Sequence, residues 1–272
     1  MMTIDKLYEK LSGRIPPSLS CEGDVDGYQL RPSDAAERKV KKILIALDPT
    51  AQAIHDAVCG GYDLLLTHHP VIYRPLTAIV SDKLIEAAEN RLALMSFHTR
   101  LDSVDGGVND VLAAAIGLQN VEAFLSEENV AGRIGTLSEK MTVRAFAEKI
   151  SEALGAHIEY PLTKAEDPLE ASAKIAVLGG SGKSCIAAAK RAGAAVYLTG
   201  ECSYNTVIDE AEEGFVILTA GHYHTEVPVC RALREMVLEI VRRDGGEVRA
   251  DLYQQKTLEF YFSSAAESFK KE

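Results

Sequence analysis

Along this chain, short apolar runs alternate with stretches in which apolar residues return every three or four positions. The runs Lys42–Leu47, Tyr62–Thr67, Leu92–His98, Lys174–Leu178, Ala195–Thr199 and Phe215–Thr219 read as strands. Between them the spacing predicts helices at about Thr50–Cys59, Ser81–Asn90, Gly107–Ile116, Thr142–Leu154, Gly182–Ala192 and Tyr204–Glu213, with another after Thr225. This is the alternation of βαβ units, so the expected fold class is α/β with largely parallel sheets.

Two polar stretches without periodicity, Ser126–Gly132 and Leu162–Ser172, read as connections. The first divides the chain into an N-terminal α/β lobe, residues 1–125, and a second α/β lobe, residues 126–220. Residues 221–272 are expected to complete the first lobe, because the helix after Thr225 can pack back on it. No short-period repeat or low-complexity tract is visible.

Composition narrows the function classes. With 272 residues, 47% of them hydrophobic, the chain can bury one large or two modest cores. A formal charge of -11 without a basic run argues against nucleic acid, which demands a cationic stripe to displace counterions. The opening MMTIDKLYEKLSG is amphipathic with early acids, neither a secretion signal nor a membrane span, so a cytoplasmic protein without membrane attachment is expected. Five scattered cysteines, Cys21, Cys59, Cys185, Cys202 and Cys230, form no C-x-x-C pair and read as free thiols, mostly small buried residues.

The chemistry concentrates where apolar strands stop. Five of seven histidines fall in three blocks: LLLTHHPVIY with His68 and His69, LMSFHTRLDSVDGGVND with His98, and LTAGHYHTEVPV with His222 and His224. Strand C-terminal ends form the ligand crevice of an open parallel sheet, so these blocks can converge from distant places in sequence. Together they offer His68, His69, Asp102, His222 and Glu226, a nitrogen and oxygen donor set for zinc, iron, manganese or nickel. Five donors exceed what one structural site needs. They suit two divalent ions about 3.5–4 Å apart, an arrangement used in hydrolysis, with carboxylates able to bridge.

Pro70 ends the strand after the His68-His69 pair and lets both face one site. Pro228 belongs in a helical first turn, so Thr225 is the expected N-cap, His222 is expected to precede the helix, and Glu226 falls at its positive end. His98 is placed behind the ligands, orienting Asp102 or a water, and is the first candidate proton carrier. His224 is either a surface residue before the helix or a second proton carrier at the rim. Taken singly, His98 reads as a structural histidine and Asp102 as a cap. His55 and His157 lie in ordinary helix and strand patterns and receive no role.

The loop Gly179-Gly180-Ser181-Gly182-Lys183-Ser184 ends like a phosphate-binding loop, but Val177 stands where that motif requires its first glycine. A tight strand-to-helix turn is the safer reading. Its glycines still permit close backbone approach, which could serve an anion or a substrate phosphate.

With these blocks in order, the chain resembles the Nif-three-like proteins, also called GTP cyclohydrolase 1 type 2 homologues. The resemblance rests on ALDPT, THHP, HTRLD-xxx-GGVND, RIG from Arg133, GGSG from Gly179, LTGE from Leu198 and GHYHTE, and spans nearly the whole chain. It implies a Nif-three-like fold of two α/β lobes with mainly parallel sheets and a homohexamer with inward-facing metal sites. It carries the family's metal ligands onto His68, His69, Asp102, His222 and Glu226. The chain departs from the family's usual residues at Asp26-Gly27-Tyr28-Gln29, Arg100 and Asn205.

The reading that follows is a metal-dependent hydrolase acting on a nucleotide or other phosphate-containing small molecule, with a GTP cyclohydrolase reaction implied by the family. A nucleotidase or phosphodiesterase is the enzymatic alternative. A non-catalytic, metal-binding hexameric scaffold or adaptor is the other.

Overall fold

A computed structural model describes residues 2–126 and 130–254. Among these residues the strands form two five-stranded sheets and one two-stranded pair. The first sheet contains β1 (Gly27–Leu30), β2 (Lys42–Ala46), β3 (Leu64–Thr67), β4 (Ala93–Ser96) and β12 (Arg249–Leu252), ordered β1-β4-β3-β2-β12. Four of them run parallel and β1 pairs antiparallel at the edge. The second sheet, ordered β11-β10-β9-β6-β5, contains β5 (Gln119–Leu125), β6 (Ala131–Thr136), β9 (Lys174–Ser181), β10 (Val196–Glu201) and β11 (Val216–Thr219). Here β9, β10 and β11 are parallel, while β6 and β5 add an antiparallel margin. A small ribbon pairs β7 (Met141–Thr142) with β8 (Pro168–Leu169).

Each large sheet is covered on both faces, which is why its central strands read as unbroken apolar runs. In the first, Ile43, Ile45, Leu64 and Leu66 pack with α1 (Ile4–Arg14) and α10 (Val229–Arg243). The alternate residues Leu44 and Leu65 pack with α2 (Ala51–Cys59) and α3 (Asp82–Glu89). In the second, Ile175, Val177 and Leu198 pack with α5 (Val108–Ala115) and α6 (Val143–Leu154), while Ala176, Leu178 and Tyr197 meet α7 (Ile186–Arg191) and α8 (Tyr204–Glu212). The two-residue alternation of the strands sorts these side chains to opposite faces. Thr50 and Thr142 cap α2 and α6 by accepting from Ala53 N and Ala145 N.

The six expected strands are present. Sequence periodicity missed edge strands β1, β5 and β12 and interior strand β6, whose polar or glycine residues break the apolar pattern, and β6 takes in Ala131 and Gly132 of the expected connection. Gln119–Leu125, in the stretch given to the N-terminal lobe on sequence, is hydrogen-bonded into the second sheet. After the second sheet the chain returns through α10, and β12 joins β2 in parallel. Residues 127–129 of the expected connection and the tail from residue 255 lie outside the described residues. No helix among those described is long and apolar enough to cross a membrane.

Candidate metal centre

The register of the first sheet aligns Thr67 with Ser96, so β3 and β4 end side by side. His68 and His69 leave the first, and His98 leaves the second just before the short helix α4 (Thr99–Ser103), which carries Asp102. From the second sheet, β11 delivers Gly221 and a further short helix, α9 (His222–Glu226). This last element corrects the expectation for Thr225. His222 and Glu226 occupy one helical turn capped by Gly221, and Pro228 starts α10 separately. The i,i+4 spacing places both side chains on one face after all. Thr225 Oγ1 instead accepts from Gly180 N (3.1 Å) and donates to the His222 carbonyl (2.8 Å), tying α9 to the glycine loop.

Glu226 stands at the centre. Its Oε2 lies 3.0 Å from His69 Nε2 and 3.1 Å from His222 Nε2, and its Oε1 lies 3.8 Å from His68 Nε2. Asp102 Oδ1 approaches His68 Nε2 at 3.5 Å. One donor atom each from the buried residues His68, His69 and Glu226 lies within 4.8 Å of the others, and this trio could hold a metal ion.

Every imidazole in the group is held from behind. His68 Nδ1 donates to the Phe97 carbonyl (2.9 Å), which can only accept, so the lone pair of the neutral ring sits on Nε2 and faces the two carboxylates. His69 Nδ1 meets Asp48 Oδ1 at 2.6 Å, His98 Nδ1 meets Asp24 Oδ1 at 2.7 Å, and His222 Nδ1 faces Glu201 Oε2 at 3.3 Å. An acceptor behind the ring that fixes the facing nitrogen is the usual support of a metal-binding histidine. His68 Nε2, Asp102 Oδ1 and Glu226 Oε2 are buried without a hydrogen-bond partner. His68 Nε2 and Asp102 Oδ1 face each other with Glu226 Oε1 beside them, and a cation among such buried lone pairs relieves their repulsion, so these residues fit a divalent metal.

Charges respond accordingly. Burial opposes charge on His69, but Asp48 and Glu226 overcome it and lift the imidazole to about 10. Glu226 raises His222 to about 9. Burial, with Glu226 adding to it against the pull of His68, lifts Asp102 to about 6. Burial also works against ionised Glu226, yet the surrounding His222, His68 and His69 hold its carboxyl below the usual range.

The second sheet closes the site through Gly180. Its φ is +66°, a left-handed value that glycine adopts without strain, and a Cβ there would collide with Glu226 Oε1. The GGSG loop is therefore a close-approach wall for the carboxylate. Asn109, fully buried, fixes the wall against the first sheet: Nδ2 donates to the carbonyls of Asp102 and Ala131, and Oδ1 accepts from Gly179 N. An open cleft of about 370 Å³ leads to the group, lined by Asp24, His98, Asp102, Ser181, His222 and Glu226 among others.

His224 does not line this cleft; its ring stands edge-on to Tyr223, and burial lowers its pKa. Sequence reasoning missed Asp24, Asp48 and Glu201. Asp48 and Glu201 lie at or just past the ends of β2 and β10, so the rule that found the histidines extends to them. Asp24 has no such signal, because it comes from the loop before β1. Two of the departures from the family pattern meet away from the ligands: Arg100, buried, pairs with Asp26 at 2.7 Å and donates to the Ile15 carbonyl.

The family described as Duf34/NIF3 (NGG1p interacting factor 3) matches residues 2–257. A GTP cyclohydrolase 1 type 2 homolog of Clostridium perfringens is 36% identical over 217 residues, covering 76% of this chain and 82% of that protein. A protein of the same name from Methanocaldococcus jannaschii is 32% identical over 252 residues, covering 89% of this chain and all of its own length. The crystal structure of a Bacillus cereus protein related to NIF3 superposes with a TM-score of 0.85 at 24% identity, over 97% of this chain and 99% of that one. The chain belongs to the Duf34/NIF3 family.

Proposed function

We propose that this protein is a metal-dependent hydrolase whose two divalent ions are held by His68, His69, Asp102, His222 and Glu226. The observation that carries the reading is Glu226, a buried carboxylate with one oxygen toward His68 and the other toward His69 and His222. A carboxylate shared in this way suits a bridging ligand between neighbouring ions, and Asp102 beside His68 adds a second oxygen donor. Bound ions there would supply a nucleophilic water near neutral pH and polarise the C–N or P–O bond under attack.

The chain's own groups do the rest. Bound ions would offset the charge of Asp102 and Glu226 and could accept substrate oxygens as ligands, which suits a phosphate-bearing substrate. His98 lines the cleft with Nδ1 held by Asp24, so Nε2 is the edge left to take or return a proton. This supports His98 over His224, which does not line the cleft, as the proton carrier. The name shared by the relatives points to opening of a guanine nucleotide ring, and the family resemblance adds a homohexamer.

The test is to deplete the protein of metal, reload it with zinc, iron, manganese or nickel singly, and follow purine absorbance, formate and phosphate release over a panel of nucleotides and phosphoesters. Turnover should require added metal and vanish in Asp102→Ala and Glu226→Ala proteins that remain folded. A panel without metal-dependent turnover contradicts the enzymatic reading. Sedimentation in the same buffers tests the hexamer.

A further inference from the structure

Helix α2 carries a second histidine-centred group, separate from the metal centre. His55 and Cys59 are four residues apart and share one face of the helix. Cys59 Sγ lies 3.5 Å from His55 Nε2, and His55 Nδ1 lies 2.7 Å from Glu86 Oε1 on the neighbouring helix α3. An ionised carboxylate can only accept, so Nδ1 bears the proton and the neutral ring offers the lone pair of Nε2 to the thiol. A nucleophile, a base and a group that orients the base thus stand in line. The line is no cation cage, because the compact ligand cluster among the described residues is His68, His69 and Glu226.

The other thiols lie in different surroundings. Cys185 and Cys230 are buried, and burial pushes Cys230 up to about 12. Cys21 and Cys202 are half-buried, and burial raises Cys202. Cys59 is exposed. Exposure and an adjacent histidine distinguish reactive cysteines from inert ones.

We propose that Cys59 is a thiol–disulfide exchange site whose base is His55, oriented by Glu86. His55 Nε2 draws the thiol proton as Sγ attacks one sulfur of a low-molecular-weight disulfide. The new S–S bond forms as the old one breaks, and the departing sulfur leaves as a thiolate that takes the proton back from His55. One thiol and one disulfide become one mixed disulfide and one free thiol, so electrons and protons balance without another oxidant. Glu86 and Asp56, beside His55 in sequence, favour a cationic disulfide in a chain that is already acidic.

The experiment exposes the intact protein to cystamine and follows the adduct at each cysteine by peptide mass spectrometry. Cys59 should be modified before Cys21 and Cys202, a comparison made within the unaltered chain. His55→Gln, an exposed substitution, should slow modification of Cys59 by at least about tenfold while metal content and melting temperature stay unchanged. Modification of Cys21 or Cys202 at the same rate as Cys59 would overturn the proposal. So would a His55→Gln protein that reacts like the parent.

Discussion

Asp24 accepts the Nδ1 proton of His98 through one carboxylate oxygen, Oδ1 at 2.7 Å, while its other oxygen takes both the amide and the hydroxyl of Thr99. The hydroxyl cannot turn away easily, since Thr99 Oγ1 also accepts from Cys21 N. Oδ1 also accepts from Val25 N at 2.9 Å, so each oxygen faces two donors. The neutral ring of His98 should therefore carry its proton on Nδ1, and Asp24→Asn, whose NH2 meets the backbone N–H of Val25 or of Thr99 in either orientation, should lower the melting temperature. Two-bond proton–nitrogen NMR couplings read the tautomer directly. A neutral His98 protonated on Nε2 in the parent protein would contradict this arrangement, whatever the activity.

Arg100 and Asp26 form a buried ion pair, so removal of one partner strands the other. Arg100→Met should lose about 3–5 kcal/mol in urea denaturation, and adding Asp26→Leu should recover much of that loss. A single-variant loss below about 1 kcal/mol, the scale of an exposed pair, would show that the pair is solvated.

Gly180→Ala combines a left-handed backbone with a collision at Glu226. The conformational part alone costs about 1–2 kcal/mol. Displacement of the carboxylate should also reduce bound metal, as measured by elemental analysis on folded protein. Full metal content would separate the loop from the site.

Metal must compete with protons at His69, lifted to about 10, and His222, lifted to about 9. Apparent affinity by calorimetry should therefore rise from pH 6 toward pH 9, with protons released on binding. The metal-free chain should behave oppositely. Folded pKa values above the unfolded value near 6.5 give stability that is full below that pH and lost as pH climbs through about 9 to 10. Denaturation with and without metal across this range checks both signs.

Strands such as Leu64–Thr67 and Val216–Thr219 were legible because burial on both faces leaves an apolar run. Gln119–Leu125 was not, because nearly all of its side chains are exposed at a sheet margin. In the site, histidines at strand ends gave the convergence away. The helix at His222 was hidden by Pro228, which starts the next helix and does not cap this one. Asp24 could not be found from pattern at all, since only tertiary packing brings the loop before β1 onto His98.

The paired centre on Glu226 is tested most directly by counting and locating metal. Protein reloaded with zinc or iron should carry two ions per chain by elemental analysis, and anomalous scattering should show two peaks, each about 2.0–2.2 Å from a Glu226 oxygen. At most one ion per chain after reloading, or a second peak without contact to Glu226, would contradict the bridging role.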